Sequence, residues 1–316
     1  MISKTILIIG KSKIAIKHYS ILKKIDKKFI FYFLDSKKNF WIYNGNKFLI
    51  SKKNISINDH YFLVAICSPS NSHLNYIRKF IYRSKFIFVE KPFTNNLNSL
   101  LTFKKKIHRI KKYPKILIGY NLRHSNSLIR FKRIVSENNY GKLLYVTSQV
   151  GMSLDQWRDK DLKLAASDKK KGGGVILELS HELDYLNWIF GPIKYVSSVI
   201  NKVKKFNIDV EESYFSILKT KKNFLINLSV DMVRCDPKRF CEVVFEDATV
   251  HLDIINRIIK KNKNRKNKTF KFKNDLTNSY KKMWYSFLKN KVNNDFKDLI
   301  NDSSCILEIV DRIKKN

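Results

Sequence analysis

The short segment Glu90-Lys91-Pro92 places two charges and a proline directly after the apolar run FIFV at residues 86–89. If that run is a buried parallel strand, its carboxyl end faces the crevice where α/β sheets bind their ligands. Partial dehydration there lowers the pKa of an ammonium group, which lets a lysine exchange a proton with a substrate hydroxyl. Pro92 fixes one backbone angle beside the lysine. The segment therefore predicts a proton-transfer role for Lys91, with an ordinary surface turn as the alternative.

A second segment, KKGGGVILELSHELDYLNWIFGP at 170–192, combines three glycines with Glu178, His181 and Asp184. The pattern predicts one helix over 174–190, and the spacing of three residues places these ionisable groups on one face of it. Burying an acid, an imidazole and a second acid on an apolar face is costly unless the face lines a site. We therefore predict that this face lines a site, the alternative being a core histidine satisfied by its aspartate.

The stretch IIGKSKIA lies between the first apolar run and the first helical pattern, where a dinucleotide fingerprint belongs. In that fingerprint three small residues allow a tight turn, close approach of a pyrophosphate and close helix packing. Gly10, Ser12 and Ala15 occupy those positions, with Ser12 replacing the usual second glycine. Asp35 follows the second run at about the distance of the acid that binds the adenosine ribose. A carboxylate there favours NAD, whereas the neighbouring Lys37 and Lys38 leave NADP open.

The third apolar run ends in CSPSNSH at 67–73, a row of small residues at the start of a helical pattern. Its position at the carboxyl edge of a parallel sheet predicts further contacts with the cofactor. The simpler interpretation of Ser70 is a helix N-cap, and the two roles are compatible. The cofactor-binding residues predicted here are Ser68, Pro69, Ser70 and His73.

The order of elements predicts an α/β protein of two domains. Continuous apolar runs at 5–10, 28–36, 62–70, 85–92 and 115–120 alternate with helical patterns, which is typical of a doubly wound parallel sheet, the Rossmann arrangement. After residue 118 the pattern changes to alternating strands of an open, mostly antiparallel sheet, flanked by helices, in an α+β domain. We therefore predict a dinucleotide-binding domain at 1–118 and a second domain at 119–316.

Composition restricts the location and the partners of the chain. Its apolar runs are much shorter than the roughly 20 residues of a membrane helix, and its first residues lack the pattern of a secretory signal. Both observations favour a cytoplasmic protein without a membrane span. The four cysteines show no spacing typical of a metal site, so we expect reduced thiols and no metal.

The net charge of +36 suggests an anionic partner. The excess is carried by 51 Lys against 12 Arg, however, and lysine accompanied by abundant Ile and Asn is what AT-rich codons encode. Reading of bases relies more on arginine. We therefore predict no nucleic-acid partner. The basic segment 257–273 has nine Lys and Arg and no acid, and it is interpreted as a solvated loop or hairpin, with an anionic partner as the alternative.

Four motifs in order, EKP at 90–92, GYNLR at 119–123, QWR at 156–158 and GGGVILELSHELDYLNWIFG at 172–191, give the chain a resemblance to a known family. The sequence resembles the glucose–fructose oxidoreductase / inositol dehydrogenase / MocA family of NAD(P)-dependent oxidoreductases. The resemblance is greatest to bacterial members associated with surface-polysaccharide and nucleotide-sugar synthesis. It implies the two-domain fold described above, homo-oligomers formed through the second domain, and hydride transfer between a nicotinamide and a secondary alcohol of a sugar or nucleotide sugar.

The resemblance also implies roles for individual residues. Lys91 and His181 are the implied catalytic pair. Asp184 matches the family's acidic position after the histidine. Glu178 lies three residues before His181, whereas relatives commonly have an Asp four residues before their histidine. Glu90 and Lys91 would also border the cofactor. The residues implied to line the substrate side are Asn121, Arg123, Gln156, Trp157, Arg158 and His181.

Two other classes of function remain as alternatives at this point. Ser12, Ala15 and Glu178 depart from the usual pattern, as in a non-catalytic protein that senses a cofactor or a sugar. Retention of both Lys91 and His181 argues against that class. Charge alone supports a binder of anionic polymers, whose affinity would fall steeply with salt.

Overall fold

The computed structural model describes residues 4–107, 113–137, 139–157, 167–289, 291 and 295–315. The chain forms two compact units. The first contains residues 1–119 and 283–301, and the second contains residues 120–282 and 302–316. The predicted division at 118/119 assigns the whole C-terminal part to the second domain, whereas residues 283–301 cluster with the first unit.

The first unit is built on a seven-stranded sheet with the order β4-β3-β2-β1-β5-β6-β7. Its strands are β1 (Thr5–Ile9), β2 (Ile30–Leu34), β3 (Phe40–Asn44), β4 (Lys47–Ile50), β5 (Tyr61–Ile66), β6 (Ser84–Val89) and β7 (Lys115–Ile118). The order β2-β1-β5-β6-β7 is parallel throughout. The helices are α1 (Lys13–Ile25), α2 (His73–Phe80) and α3 (Leu97–Ile107). This arrangement confirms the predicted doubly wound parallel sheet.

The parallel strands are apolar on both faces because helices and the rest of the unit cover them. Residues 6–9 of β1 and 63–66 of β5 are all buried. Two antiparallel strands, β3 and β4, extend the sheet beyond β2 and were not predicted. The signal was present, since Asn44-Gly45-Asn46 joins them and Gly45 has the positive φ of 62° that such turns require.

The second unit contains an eight-stranded sheet with the order β15-β14-β13-β12-β8-β11-β10-β9. Its strands are β8 (Leu143–Gly151), β9 (Ile193–Asn201), β10 (Ser213–Thr220), β11 (Leu225–Asp231), β12 (Lys238–Phe245), β13 (Ala248–Asp253), β14 (Ile258–Lys263) and β15 (Lys266–Lys271). All neighbours are antiparallel except β11 and β8. The prediction of an open, mostly antiparallel sheet is thus confirmed.

In the described part of the second unit, helices cover one face of this sheet. They include α4 (Asn126–Val135), α5 (Leu154–Trp157), α6 (Val175–Glu178) and α7 (His181–Phe190). Two further helices, α8 (Asp275–Leu288) and α9 (Phe296–Lys315), close the chain and contribute residues to both units. On β10, Tyr214 and Leu218 are fully buried whereas Phe215 between them is half-exposed. The sheet therefore has one buried and one open face.

The predicted single helix over 174–190 is wrong, because α6 ends at Glu178 and α7 begins at His181. Leu179 leaves helical geometry, with φ −103° and ψ 30°. The two pieces pack differently: α6 lies against β10 and β11, and α7 against β8 and β9. These separate packing contacts outweigh continuation of the helix, so Glu178 does not share a helical face with His181.

The basic segment 257–273 forms the β14–β15 hairpin, as the solvated-hairpin interpretation predicts. β15 is the edge strand of the sheet. Charged side chains, lysine above all, commonly prevent an edge strand from pairing with another chain. The charge of the segment is therefore explained without an anionic partner.

Candidate functional site

Four loops of the first unit follow the carboxyl ends of its parallel strands and so lie along one edge of the sheet. They begin at Gly10 after β1, Asp35 after β2, Cys67 after β5 and Glu90 after β6. Eight of the ten cofactor-binding residues predicted from the sequence lie in these loops, whereas Ala15 lies in α1 and His73 is the first residue of α2. In α/β sheets this edge is the ligand-binding edge.

Gly10 has φ 107°, and a Cβ atom there would lie 2.7 Å from the carbonyl oxygen of Cys67. Glycine is thus required by the close approach of two neighbouring strand ends. Ser12 is exposed and is the N-cap residue of α1, while Ala15 is buried on the inner face of that helix. The first three backbone N–H groups of a helix lack partners within the helix, which gives α1 an anion-binding end at this edge.

Asp35 already has several hydrogen-bond donors. Its carboxylate accepts hydrogen bonds from the backbone N–H groups of Lys37 and Asn39 and from the indole N–H of Trp41, at 2.9–3.0 Å. The ammonium group of Lys11 lies 3.4 Å from the same carboxylate and 3.9 Å from the centre of the Trp41 ring. Although burial works against it, these hydrogen bonds hold the pKa of Asp35 below its usual value.

His73 is buried and connects two of these loops. Its Nδ1 lies 2.9 Å from the carbonyl oxygen of Pro92, and its Nε2 lies 2.7 Å from that of Ser68. Burial lowers the pKa of His73, although both carbonyl groups favour the protonated ring. Ser70 is buried in the 3-10 turn Ser70–Ser72 that leads into α2. The N-cap residue of α2 is Ser72, and not Ser70 as the simpler interpretation has it. The ring of His73 therefore lies between carbonyl groups of the two loops.

Lys91 is partly exposed. In the chain it lies between Glu90, whose carboxylate contacts His18, and Pro92, whose carbonyl oxygen contacts His73. The side chain of Glu90 accepts a hydrogen bond from the backbone N–H of Lys91 at 3.1 Å. The carboxylate of Glu90 also lies 2.6 Å from Nε2 of His18 on α1. Burial works to raise the pKa of Glu90, but the hydrogen bond from His18 and the charge of Lys91 lower it overall. The two oxygens of Glu90 are thus held by His18 and by the backbone N–H of Lys91.

The second unit holds the predicted substrate-side residues, and there Arg123 binds Asp184. Nε and Nη2 of Arg123 donate hydrogen bonds to both carboxylate oxygens of Asp184 at 2.7–3.1 Å, and Nη2 also donates to Asp302 at 3.1 Å. Asn187 donates to the other oxygen of Asp302. Burial raises the pKa of Asp184 to about 6, against the opposing effect of Arg123. This pairing connects a predicted catalytic acid to a predicted substrate ligand.

His181 begins α7 with partial exposure, and its ring packs edge-on against Tyr120 with ring centres 5.6 Å apart. Glu182 beside it is fully buried and accepts two hydrogen bonds from Arg239 on β12. Glu178 is partly exposed at the end of α6. Thus the start of α7 is fixed by an ion pair that the sequence analysis missed.

Two of the remaining predicted substrate residues, Asn121 and Gln156, have partners within the second unit. The side-chain amide of Asn121 is buried and donates to Ser279, and that of Gln156 donates to the carbonyl oxygen of Cys235. Trp157 ends α5, and Arg158 lies outside the described residues. Sequence reasoning also missed His18, Trp284, Glu182, Arg239 and Asp302; of these only His18 carried a signal, a histidine on the apolar face of α1.

The described part of the chain shows neither a cluster of metal ligands nor a membrane-spanning helix. It contains no group of three or more His, Cys, Asp or Glu side chains placed to hold a metal ion. None of its helices combines the length and the apolar character that crossing a bilayer requires.

Residues 128–251 match the family model described as the GFO/IDH/MocA C-terminal domain. Levoglucosan dehydrogenase, solved with NADH and levoglucosan, aligns at a TM-score of 0.77 and 13% identity over 98% of this chain and 97% of that one. The NAD-bound GenD2 of gentamicin A biosynthesis aligns at 0.75 and 13% over 100% and 94%. An NAD binding oxidoreductase from Klebsiella pneumoniae aligns at 0.75 and 12% over 98% and 97%.

The chain has the fold of these oxidoreductases. The likeness extends over both units, and the family model covers much of the sheet in the second one. A comparison with curated protein sequences finds no match.

Proposed function

We propose that the protein is an NAD-dependent oxidoreductase that transfers a hydride between the nicotinamide and a secondary alcohol of a sugar. The observation that carries the proposal is the edge of the first sheet, where Gly10, Asp35, Ser68 and Lys91 each follow a parallel strand. The similarity of the fold to NAD-binding oxidoreductases supports the same conclusion. The substrate and the role of each residue are parts of the proposal.

The residues at this edge fit a dinucleotide. The N-terminal end of α1 would hold the pyrophosphate, since its backbone N–H groups and the dipole of a 13-residue helix attract anions. Asp35 and Lys11 would contact the adenosine ribose. When bound, the nicotinamide supplies the hydride chemistry, and the protein supplies position and proton transfer.

Asp35 favours NAD over NADP because a carboxylate repels a 2′-phosphate. Lys11 has the opposite effect, since its ammonium lies 3.4 Å from that carboxylate and offsets the negative charge. The pair therefore predicts a preference for NAD that is modest and depends on both residues.

In the proposed reaction Lys91 and His181 hold and move the proton of the substrate hydroxyl. Lys91 is positioned by Glu90 and by the loop that His73 binds, and His181 by the anchored start of α7. Asp184 does not face a substrate as a free carboxylate, because Arg123 binds both of its oxygens. We therefore assign Asp184 the role of orienting Arg123.

The same ion pair bears on the class of substrate. Arg123 is compensated by Asp184 and Asp302, so it has little capacity to attract a phosphate or a carboxylate. This balance favours an uncharged sugar over a sugar acid or a nucleotide sugar. A link to surface-polysaccharide synthesis would then involve a neutral sugar unit.

The open face of the second sheet supports the proposal of a homo-oligomer. Half-exposed apolar side chains on four adjacent strands lie there, namely Tyr145, Val199, Phe215 and Leu225. Tyr145 pairs with Leu225 and Val199 pairs with Phe215 across neighbouring strands, and exposed apolar pairs of this kind favour contact with another chain. Light scattering coupled to gel filtration tests this, and Phe215→Asp should shift the mass toward the monomer.

A non-catalytic sensor of a cofactor or a sugar is the second candidate, favoured by the break that separates Glu178 from His181. The two functions differ in turnover. The test is the formation of NADH from NAD with a panel containing levoglucosan, myo-inositol, glucose and UDP-glucose.

The matched variants are Lys91→Ala and Lys85→Ala. Lys85 lies on β6, and Lys91 follows the end of the same strand. Loss of a positioned acid–base group lowers kcat by about 100- to 10,000-fold. We expect that loss for Lys91→Ala and wild-type turnover for Lys85→Ala. Undiminished turnover by Lys91→Ala would overturn the assignment, and NADH binding without turnover of any sugar would favour the sensor.

A further inference from the structure

His18 is a fully buried histidine in the middle of α1, in contact with two polar groups of the first unit. Its Nε2 lies 2.6 Å from Oε1 of Glu90, and its Nδ1 lies 3.0 Å from the indole nitrogen of Trp284 on α8. The ring also packs edge-on against Phe88 on β6, with centres 4.6 Å apart. Burying such a polar chain in an aromatic environment is costly unless every group is satisfied.

Trp284 determines which nitrogen of His18 carries the proton. An indole N–H only donates hydrogen bonds, so Nδ1 of His18 must accept. In the neutral ring the proton then lies on Nε2, which donates to Glu90. The direction of both hydrogen bonds follows from the indole alone.

Glu90 transmits this arrangement to the catalytic loop. One carboxylate oxygen faces His18, and the other accepts the backbone N–H of Lys91 at 3.1 Å. Gly119 leaves the space that the carboxylate occupies, because a Cβ atom there would lie 3.1 Å from Oε1. The orientation of Glu90 is thus fixed from three sides, and Lys91 is the next residue in the chain.

We propose that His18 is a positioning residue for Lys91, with Trp284 as the group that selects its tautomer. His18 holds the Glu90 carboxylate, and the carboxylate holds the backbone from which the lysine extends. The catalytic role of Lys91 rests on the proposed function. The hydrogen-bonded arrangement of His18, Glu90 and Trp284 can be tested separately.

Two substitutions of similar size and polarity separate the two hydrogen bonds of His18. The amide of His18→Gln reaches the place of Nε2 and retains a donor to Glu90. The amide of His18→Asn reaches only the place of Nδ1, so it can pair with Trp284 but not with Glu90. Both variants lose the aromatic ring, which makes each the control for the other in folding.

With a sugar that the wild type turns over, we expect His18→Gln to keep kcat within about 5-fold, whereas His18→Asn falls about 10- to 100-fold, as for a displaced catalytic group. Titration with NADH should give dissociation constants within about 2-fold of the wild type for both, because His18 itself is fully buried and its ring nitrogens face protein groups. Equal losses of kcat in the two variants would overturn the proposal.

A readout without turnover distinguishes failure of this proposal from failure of the proposed function. Competitive acetylation with acetic anhydride, followed by peptide mass spectrometry, gives the reactivity of Lys91 relative to Lys85. We expect His18→Asn to change that ratio by about 3-fold or more, as loss of a single hydrogen bond would, and His18→Gln to preserve it. An unchanged ratio in His18→Asn sinks the positioning role, and the expected ratios without turnover of any sugar sink only the enzyme assignment.

The tautomer is tested by nitrogen NMR of histidine-labelled protein. Trp284→Phe keeps an aromatic ring against Phe88 but removes the N–H that donates to His18. We expect the Nδ1 resonance of His18 to move in this variant. A resonance that stays in place would show that Trp284 does not select the tautomer.

Discussion

The ion pair between Glu182 and Arg239 predicts an asymmetric loss of stability. Nε and Nη2 of Arg239 donate to the two carboxylate oxygens of Glu182 at 2.7 and 3.2 Å. The Glu182 side chain is 0% exposed and that of Arg239 is 20% exposed. Removing one partner therefore leaves either a carboxylate that cannot reach water or a guanidinium that can.

The magnitudes follow from that difference. Arg239→Met should lower the free energy of unfolding by about 3–5 kcal/mol, the cost of breaking a buried ion pair by removing one of its partners. Glu182→Leu should cost only about 1–3 kcal/mol, because the guanidinium rehydrates. The double variant removes both charges and should lie within about 2 kcal/mol of the wild type.

Thermal unfolding followed by circular dichroism measures these differences. At about 2–4 °C per kcal/mol, Arg239→Met should lower the Tm by roughly 6–20 °C. The double variant should recover most of that loss. The reasoning is refuted if the two single variants lose equal stability, or if the double variant loses the sum of both.

Three further predictions concern single carboxylates. Because the pKa of Asp184 is raised to about 6 in the folded state, its contribution to stability is present below about pH 4 and lost as the pH rises through 6. Urea unfolding at pH 4–7 should therefore show a fall in stability that Asp184→Asn lacks; parallel curves would contradict the assigned pKa. Asp275 accepts the backbone N–H groups of Asn126 and Ser127 at the start of α4, so Asp275→Ala should cost about 1–2 kcal/mol, whereas an unchanged midpoint of unfolding would exclude a capping role. At the ribose site, Asp35→Ala should reduce the ratio of NADH to NADPH affinity and Lys11→Ala should increase it, as measured by fluorescence titration; identical ratios in both variants would place the ribose elsewhere.

Much of the fold was predictable because its elements depend on local patterns. The parallel strands can be predicted from continuous apolar runs, since both faces of each strand are buried. The break between α6 and α7 was not predicted, because apolar residues continue at helical spacing through 174–190, and packing against different strands separates the two pieces. Residues 283–301 likewise join the first unit through contacts that no local pattern encodes.

The candidate site was predictable where residues adjoin in sequence, as in Glu90 and Lys91. It was not predictable where partners are distant along the chain. His18 and Trp284 are 266 positions apart, and Arg123 and Asp302 are 179 apart. Aromatic and acidic residues at such positions look like ordinary core and surface residues until the fold pairs them.

Trp284 is translated long after the sheet against which it packs. A ribosome releases the first 119 residues well before the segment that completes their unit, because that segment starts at Met283. The surface around Phe88 and His18 therefore stays uncovered by Trp284 while the eight-stranded sheet of the second unit is translated. For the same reason, residues 1–119 excised alone would expose the surface around Phe88 and leave His18 without the indole of Trp284, so transplantation of this unit requires residues 283–301 as well.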